Sequence, residues 1–418
     1  MTVKQGAKTA MPRLRFPGFR QAGGWTAAKL GELFTDRQET GATDLPLLSL
    51  MDKEGIVPQE ETNRKDNSNA DKSKYLRVVP GDIAYNTMRM WEGRSAYVDM
   101  EGLISPAYTV CAPNEGTYSR FFSYYFKTEW LISQFRKYSQ GLVKDTLNLK
   151  FDNFKRVEVA YPSNVQEQQK IADCLTSLDE VIAAQGRKVE ALKAHKRGLM
   201  QQLFPREGET RPRLRFPEFR DAPEWESVGL EAVCSVERGK FAHRPRNDPK
   251  FFNGPYPFIQ TGDVVRADGG SVEASQSLND LGLSVSKLFK PTIVLITIAA
   301  NIGDTAILDS EACFTDSVVG LTPKNGRVTP RFLESTMRLQ KERLHRVATT
   351  GAQKNINIEI LEALDVLLPS MEEQAKIADC LASLDTRIAA ETSQLTALKT
   401  HKQGLMQQLF PAPEPTTA

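Results

Sequence analysis

The sequence predicts an α+β fold, in which two mixed α/β globular domains are joined by two long helices that form an antiparallel coiled coil with pseudo-twofold symmetry. Two observations predict it, an internal repeat and a heptad pattern of apolar residues. The segment PRLRFPGFR, which begins at Pro12, recurs as PRLRFPEFR from Pro212. A second segment, residues 168–205, matches residues 374–411 without gaps. The chain is therefore two copies of one unit.

The second repeated segment places apolar residues at alternating steps of four and three, which is the spacing of a coiled-coil seam. Polar residues interrupt the seam at matching steps, with Gln185 and Lys196 in the first copy and Glu391 and Lys402 in the second. The apolar seam residues are Ile171, Leu175, Leu178, Ile182, Val189, Leu192, Leu199 and Leu203, and then Ile377, Leu381, Leu384, Ile388, Leu395, Leu398, Leu405 and Leu409.

Local signals give the ends of both helices. A proline followed by Ser-x-x-Gln or Ser-x-x-Glu predicts each start, with Ser163 and Ser370 as caps, and Leu-Phe-Pro predicts each end. Helix one leads from the first globular domain to the second, where helix two begins, so helices that pair along their length must be antiparallel. The predicted parts are a first domain (1–162, with 1–11 a disordered tail), helix one (163–205), a second domain (206–369), helix two (370–411) and a disordered tail (412–418).

Composition excludes several classes of protein. The net charge of the 418 residues is +2, so binding to nucleic acid would depend on local basic patches. No apolar run approaches the roughly 18 residues of a membrane span, and the first residues do not resemble a signal peptide. The five cysteines are scattered and form no CxxC pair, which favours neither a disulfide framework nor a zinc site. We expect a cytoplasmic protein without a metal site.

Catalytic motifs are missing from the sequence. It contains no phosphate-binding glycine loop of the Walker type, no HExxH, no GxSxG, and no Asn/Asp-Pro-Pro-aromatic tetrapeptide of the kind that amino-group methyltransferases use. We therefore predict no catalytic residues and no cofactor bound by this chain.

Three sets of residues are candidates for DNA binding, because arginine and lysine contact phosphates and guanine while asparagine contacts adenine. The first is a basic loop punctuated by glycine and proline, in which aromatic residues such as Phe241 and Phe251 are interleaved. The second surrounds Trp91, and the third lies in glycine-containing segments of both domains. A basic helix face from Arg338 to Arg346 is a weaker candidate. Each set is also compatible with an ordinary solvated surface. The candidate residues are Arg238, Lys240, Arg244 and Arg246 in the first set, Asn86, Arg89 and Arg94 in the second, and Lys144, Lys354 and Asn355 in the third.

Together these segments resemble the specificity subunit of type I restriction-modification systems. The resemblance is carried by PRLRFP followed by Trp25 or Trp225, by EQQKIADCL from Glu167, and by GLMQQLFP at the end of each helix. The segments VPGDI, FIQTGDV and GAQKNIN in the globular domains resemble target-recognition domains of the same family.

The resemblance implies a function and a set of partners. Each globular domain would be a target-recognition domain that reads one half of a split, asymmetric site in double-stranded DNA. The coiled coil would set the spacing and dock two methyltransferase (modification) subunits. Catalysis would belong to partners: modification subunits that use S-adenosylmethionine, and restriction (translocase/nuclease) subunits that use ATP and Mg. The alternative that the residues leave open is a coiled-coil scaffold with two protein-binding domains and no role in DNA binding.

Overall fold

The structure is a computed structural model, and it describes residues 10–51, 55–62, 71–324, 326–350 and 356–411. The chain divides into two compact units, residues 1–186 with 394–418 and residues 187–393. Each unit combines a mixed α/β globular part with portions of both long helices, which confirms the predicted fold class. Among the described residues, no helix is long and apolar enough to cross a membrane.

The strands and helices are labelled in chain order. The first globular part contains β1 Thr26–Lys29, α1 Leu30–Leu33, β2 Phe34–Asp36, β3 Leu48–Met51, β4 Gly55–Pro58, β5 Leu76–Val78, β6 Ile83–Asn86, β7 Ser95–Tyr97, β8 Gly102–Ile104, β9 Tyr108–Pro113, α2 Ser119–Tyr125, α3 Glu129–Tyr138, α4 Phe151–Phe154 and β10 Glu158–Tyr161, and the long helix α5 Val165–Leu203 follows it. The second contains β11 Glu226–Gly229, α6 Leu230–Val233, β12 Cys234–Arg238, β13 Phe252–Ile259, α7 Thr261–Ala267, β14 Gln276–Leu278, α8 Asp280–Ser284, β15 Leu288–Phe289, β16 Ile293–Thr297, β17 Thr305–Leu308, β18 Ala312–Phe314, β19 Val318–Pro323, α9 Pro330–Leu339, α10 Lys341–Thr350, α11 Ile358–Glu362 and β20 Asp365–Leu368, and the long helix α12 Met371–Leu409 follows it.

Both units are built on the same antiparallel sheet of four strands. The strand order is β2-β9-β6-β7 in the first unit and β12-β19-β16-β17 in the second. The last residue of β6, Asn86, lies opposite the first residue of β9, Tyr108, and Thr297 of β16 lies opposite Val318 of β19 in the same way. The divergent sequences of the two units therefore share one framework. Both units also pair their first strand with their last, β1 with β10 and β11 with β20. Elsewhere they differ, because the second unit adds a sheet of order β14-β13-β18-β15 while the first has the pairs β3-β4 and β5-β8.

The long helices run antiparallel in each unit. In the first, Ile171 near the start of α5 shares a core with Leu409 at the end of α12. In the second, Leu203 at the end of α5 shares a core with Ile377 near the start of α12. All ten seam positions of each helix are buried or half-buried. The seam lysines pair across the interface, because Lys402 lies 2.5 Å from Asp179 and Lys196 lies 2.5 Å from Asp385.

Each globular part is joined to the helices by a buried ion pair that occurs once in each unit. Arg15 of the first PRLRFP segment binds Glu167 of α5 at 2.7 Å, and Arg215 of the second binds Glu373 of α12 at 2.6 Å. The Glu373 carboxylate raises the pKa of the Arg215 guanidinium. We call each ion pair a joint, together with the PRLRFP segment that contains the arginine and the first turn of the long helix that contains the glutamate.

Backbone and aromatic contacts extend each joint to the end of the other helix. The Leu14 N–H donates to the Gln408 carbonyl of α12 at 3.0 Å, and Leu214 donates to Gln202 of α5 at 2.9 Å. Next to the joints, each repeated Trp packs in a cluster with the Phe that ends a helix. The ring centroids are 6.4 Å apart for Trp25 and Phe410, and 5.8 Å apart for Trp225 and Phe204. Each joint therefore ties one globular part to the start of one helix and the end of the other.

Two local predictions were wrong in detail. Asn164, not Ser163, caps α5, because its Oδ1 accepts the Gln166 N–H at 2.9 Å; Ser370 caps α12 as predicted, through the Glu373 N–H at 3.3 Å. The first predicted tail is too long, because the carbonyl of Ala10 accepts the Trp25 N–H. Each globular part carries two consecutive helices after its four-stranded sheet, α2 with α3 in the first and α9 with α10 in the second. Residues 1–9 and 412–418 lie outside the described residues.

We expect the substitution Glu373→Gln to destabilise the second unit by about 3–5 kcal/mol, because it leaves the buried Arg215 guanidinium without its counter-charge. Urea denaturation followed by far-ultraviolet circular dichroism measures the change. The control is Glu190→Gln, whose partner Lys193 lies in an exposed pair on α5 and should change stability by less than about 0.5 kcal/mol. Equal, small effects of the two substitutions would contradict a stabilising role for the joint.

Candidate nucleic-acid interface

One end of each four-stranded sheet gathers several loops. In the first unit, the Thr87 N–H after β6 donates to Ala107 before β9 at 3.3 Å, and Leu149 donates to Thr87 at 2.8 Å. In the second unit, the Ile298 N–H after β16 donates to Ser317 before β19, and Ile356 donates to Ile298, both at 3.0 Å. The same hydrogen bonds therefore hold corresponding loops together in both units. We call the loops at this end the sheet-end face: residues 87–94, 105–107 and 140–149 in the first unit, and residues 239–250, 298–304 and 315–317 in the second.

The sheet-end face of the first unit contains Arg89 and Arg94, as the sequence suggested. Both arginines lie beside the carboxylate of Glu92, at 3.3 and 3.4 Å. Asn86 uses its side-chain oxygen to accept the Met88 N–H at 2.9 Å, so it shapes the loop. The Trp91 indole N–H donates to the Met88 carbonyl at 3.0 Å, which further fixes the loop.

Lys144 lies on the same face, at the tip of a closed loop. Gln140 and Asn148 exchange backbone hydrogen bonds of 2.8 Å at the base of the loop. Gly141 has a φ of 134°, and a Cβ there would come within 2.5 Å of the Thr146 carbonyl oxygen. The loop also exposes Leu142 completely and Val143 by 60%. Sequence reasoning missed these two apolar residues, although an apolar pair directly after a glycine in a polar segment was a visible signal.

In the second unit, the predicted arginines converge on one residue that sequence reasoning missed, Asp316. Arg244 lies 2.9 Å and Arg246 lies 2.6 Å from its carboxylate oxygens. Arg238 donates from Nε to the backbone carbonyl of Asp316. Lys240 is exposed beside them. The structure therefore places three of the predicted basic residues on the sheet-end face and the fourth, Arg238, directly before it at the end of β12.

The aromatic residues of the basic loop do not lie on its surface. Phe241 and Phe251 are 2% and 3% exposed and pack with Phe258 and Leu278 in a core of their own. These two buried rings therefore anchor the loop, and they are not available to stack on DNA bases. The ammonium of Lys250 lowers the pKa of Asp248 in the same loop.

The basic helix that the sequence suggested is largely neutralised. Arg338 pairs with Glu334 at 3.0 Å, and Lys341 pairs with Asp304 at 2.6 Å. Arg346 lies 3.5 Å from Glu207. This surface is therefore a weaker candidate than the basic loop. Lys354 and Asn355 lie outside the described residues, next to Ile356, whose N–H marks the edge of the sheet-end face.

The described residues include buried thiols and, at the sheet-end faces, exposed hydrogen-bond donors. Burial raises the pKa of the Cys234 thiol to about 12 and that of Cys111 well above its usual value, so neither is a ready nucleophile. No group of three or more His, Cys, Asp or Glu among the described residues is placed to bind a metal ion. The sheet-end faces instead offer hydrogen-bond donors on short loops, which suit contacts with phosphates and base edges.

Comparison with known proteins identifies the family. The type I restriction modification DNA specificity domain matches residues 23–194 and again residues 223–400. The type I restriction enzyme MjaVIII specificity subunit of Methanocaldococcus jannaschii is 22% identical over 358 residues, which cover 81% of this chain and 82% of that protein.

Two solved structures share the fold. A chain from a structure of the type I R-M system aligns with a TM-score of 0.59 and 17% identity over 93% of this chain and 98% of its own length. The S subunit of the type I restriction-modification system from M. genitalium aligns with a TM-score of 0.57 and 13% identity over 96% of this chain and 99% of its own. With two copies of the specificity domain that together span most of its length, the chain belongs to the type I restriction-modification specificity subunit family.

Proposed function

We propose that this chain is the DNA sequence-recognition subunit of a type I restriction-modification complex, and that each sheet-end face reads one half of a split site. One observation carries the proposal: the two units share a backbone framework, but the side chains on their sheet-end faces differ. The backbone hydrogen bonds of Thr87 and Ile298 correspond, whereas the side chains around them do not. Two readers of the same shape and different surface chemistry suit an asymmetric target.

The contacts with DNA come from donors that project from these faces. In the first unit they are Arg89, Arg94 and Lys144, and in the second they are Arg238, Lys240, Arg244 and Arg246; Lys354 and Asn355, which lie outside the described residues, stay candidates from the sequence alone. Arginine suits guanine O6 and N7, and any of these cations suits phosphate. The scaffold alternative receives no support from the comparisons, which all lead to specificity subunits.

The long helices are the part that serves the partners. Residues 168–205 and 374–411 of these helices are identical at 26 of 38 positions while the globular parts diverge, which suits two copies of one partner better than two different partners. We propose that the helices dock two methyltransferase subunits, that the length of the coiled coil sets the gap in the DNA site, and that restriction subunits join this complex. Methylation with S-adenosylmethionine and cleavage with ATP and Mg are then reactions of the partners.

We expect the double substitution of Arg244 and Arg246 by alanine to weaken binding to the cognate duplex by at least about tenfold, because each lost set of hydrogen bonds between an arginine and a base costs about 1–3 kcal/mol. Titration of a labelled duplex that contains the methylated site of the wild-type complex measures the affinity. Lys324→Ala with Arg327→Ala removes the same charge beyond the opposite end of β19 and is the control; equal affinities of the two variants for this duplex would refute the proposed face.

We expect the purified chain alone to transfer no methyl group to DNA, and methylation to appear when its methyltransferase subunit is added. Incubation with labelled S-adenosylmethionine and duplex DNA tests this. Sequencing of the methylated sites then reports the split target. Methyl transfer by the chain without a partner would contradict the assignment of catalysis to other subunits.

We expect a chain in which a second copy of residues 22–158 replaces residues 222–365 to recognise an inverted repeat of the first half-site. The graft ends lie at corresponding points of the two units, since β10 and β20 begin at Glu158 and Asp365. It keeps Arg215 and Glu373 of the second joint, so folding should survive. Methylome sequencing decides the outcome; a folded hybrid that still modifies the original asymmetric site would show that the globular parts are not the readers.

A further inference from the structure

The side chain of Asp316 holds a cluster of arginines on the sheet-end face of the second unit. Its two carboxylate oxygens accept hydrogen bonds from Arg246 Nη2 at 2.6 and 2.7 Å, and one also accepts from Arg244 Nη2 at 2.9 Å. Arg238 reaches the backbone carbonyl of the same residue. Two guanidinium groups thus share one carboxylate while a third binds the backbone of the same residue, so the summed charge of these four side chains is positive.

Stability of the fold does not explain this arrangement. The side chains of Arg244 and Arg246 are 52% and 48% exposed, and that of Asp316 is 26% exposed. Ion pairs at such sites contribute between zero and about 1 kcal/mol. The arginines also sit on a loop that is already anchored, because the buried Phe241 and Phe251 pack beneath it. Their gathering around one acid therefore points to a role outside folding.

The contacts leave donors available to a ligand. Arg244 donates hydrogen bonds from Nη1 to the carbonyls of Phe241 and His243, at 2.7 and 2.8 Å. Arg246 keeps Nε and Nη1, and Arg238 keeps both terminal nitrogens, without a partner among the described residues. A free arginine has many rotamers, and the pairing with Asp316 removes part of that freedom before DNA binds.

The turn that carries Asp316 distinguishes the two units. In the second unit it lies directly before Ser317, which accepts the Ile298 N–H. At the corresponding turn of the first unit, Pro106 lies directly before Ala107, which accepts the Thr87 N–H. Asp316 therefore belongs to the second unit alone and is not part of the framework that the two units share.

We propose that Asp316 is a positioning residue for sequence recognition by the second unit, an inference that rests on the proposed DNA-binding function. Its carboxylate orients Arg244 and Arg246 towards the base edges of the cognate half-site. It also restrains them from phosphates of any sequence, because they would have to leave a counter-charge to reach the backbone. Phosphate contacts strengthen cognate and non-cognate binding alike, whereas base contacts strengthen only the cognate complex.

The test is Asp316→Asn in the full chain with its methyltransferase subunit. Affinity is measured for a duplex that contains the methylated site of the wild-type complex and for a scrambled duplex, over a range of salt. We expect tighter binding to scrambled DNA, a salt slope steeper by about 1 to 2 because released arginines reach phosphates, and at least a tenfold fall in the cognate-to-scrambled ratio. Asp316→Glu, which keeps the charge, should restore part of the ratio.

The control is Glu226→Gln, which removes one negative charge from an exposed pair with Arg327 in the same unit and should leave the ratio unchanged. An unaltered ratio and slope in Asp316→Asn would overturn the inference. So would a parallel loss of affinity for both duplexes, which is the mark of a merely structural residue. If the double alanine variant of Arg244 and Arg246 also binds DNA normally, the proposed DNA-binding face itself is wrong. If that variant loses affinity but Asp316→Asn has no effect, the face binds DNA and Asp316 does not position its arginines.

Discussion

The buried Arg–Glu pair of each joint is the interaction on which the arrangement of each unit depends. A buried ion pair is stable only when both charges are fully hydrogen-bonded. Arg215 meets this condition, because it donates to both oxygens of Glu373 and to the carbonyl of Ala222. The arginine comes from the segment before the globular part, and the glutamate from the first turn of the helix after it. The pair therefore closes each globular part into a loop that begins and ends at the helices.

This closure accounts for the pattern of repetition in the sequence. Residues of the first joint touch partners from other repeated segments, since Leu14 donates to Gln408 of α12 and Arg15 binds Glu167 of α5; the neighbouring Trp25 packs near Phe410 in the same way. A substitution in the PRLRFP segment would therefore need a matching substitution in the helix that it contacts. The loops of the sheet-end face carry fewer such demands, since the bonds of Thr87 and Ile298 involve only the backbone. Side chains on the face can therefore differ between the units while the framework stays the same.

The sequence predicted what periodic and local signals encode. The seam of α5 and α12 was predictable because the 4,3 spacing reports burial directly. The cap of α5 was missed by one residue, since Ser163 and Asn164 are both good caps and only the local backbone decides between them. The basic loop was recognisable as a cluster of charges in the sequence. Its partner Asp316 lies 78 residues from Arg238, and no sequence pattern predicts a contact across that separation. The sequence left the environment of Phe241 open, because an aromatic residue in a basic loop looks the same whether it faces DNA or a core. The contacts of the candidate residues with DNA stay predictions.

The distribution of acids explains how a chain of net charge +2 can be a DNA reader. Both sheet-end faces place a carboxylate among their arginines, Glu92 between Arg89 and Arg94, and Asp316 between Arg244 and Arg246. A strongly basic face would gain affinity mainly from phosphates, and that gain is the same on every sequence. Acids within the face lower this shared contribution and leave the directional contacts to bases, which differ between sequences. For a subunit whose task is to select a site, the difference between cognate and non-cognate binding matters more than the total affinity. An acid that pairs with an arginine on such a face also cancels its charge in the sum, so a net charge of +2 is compatible with arginines on both faces.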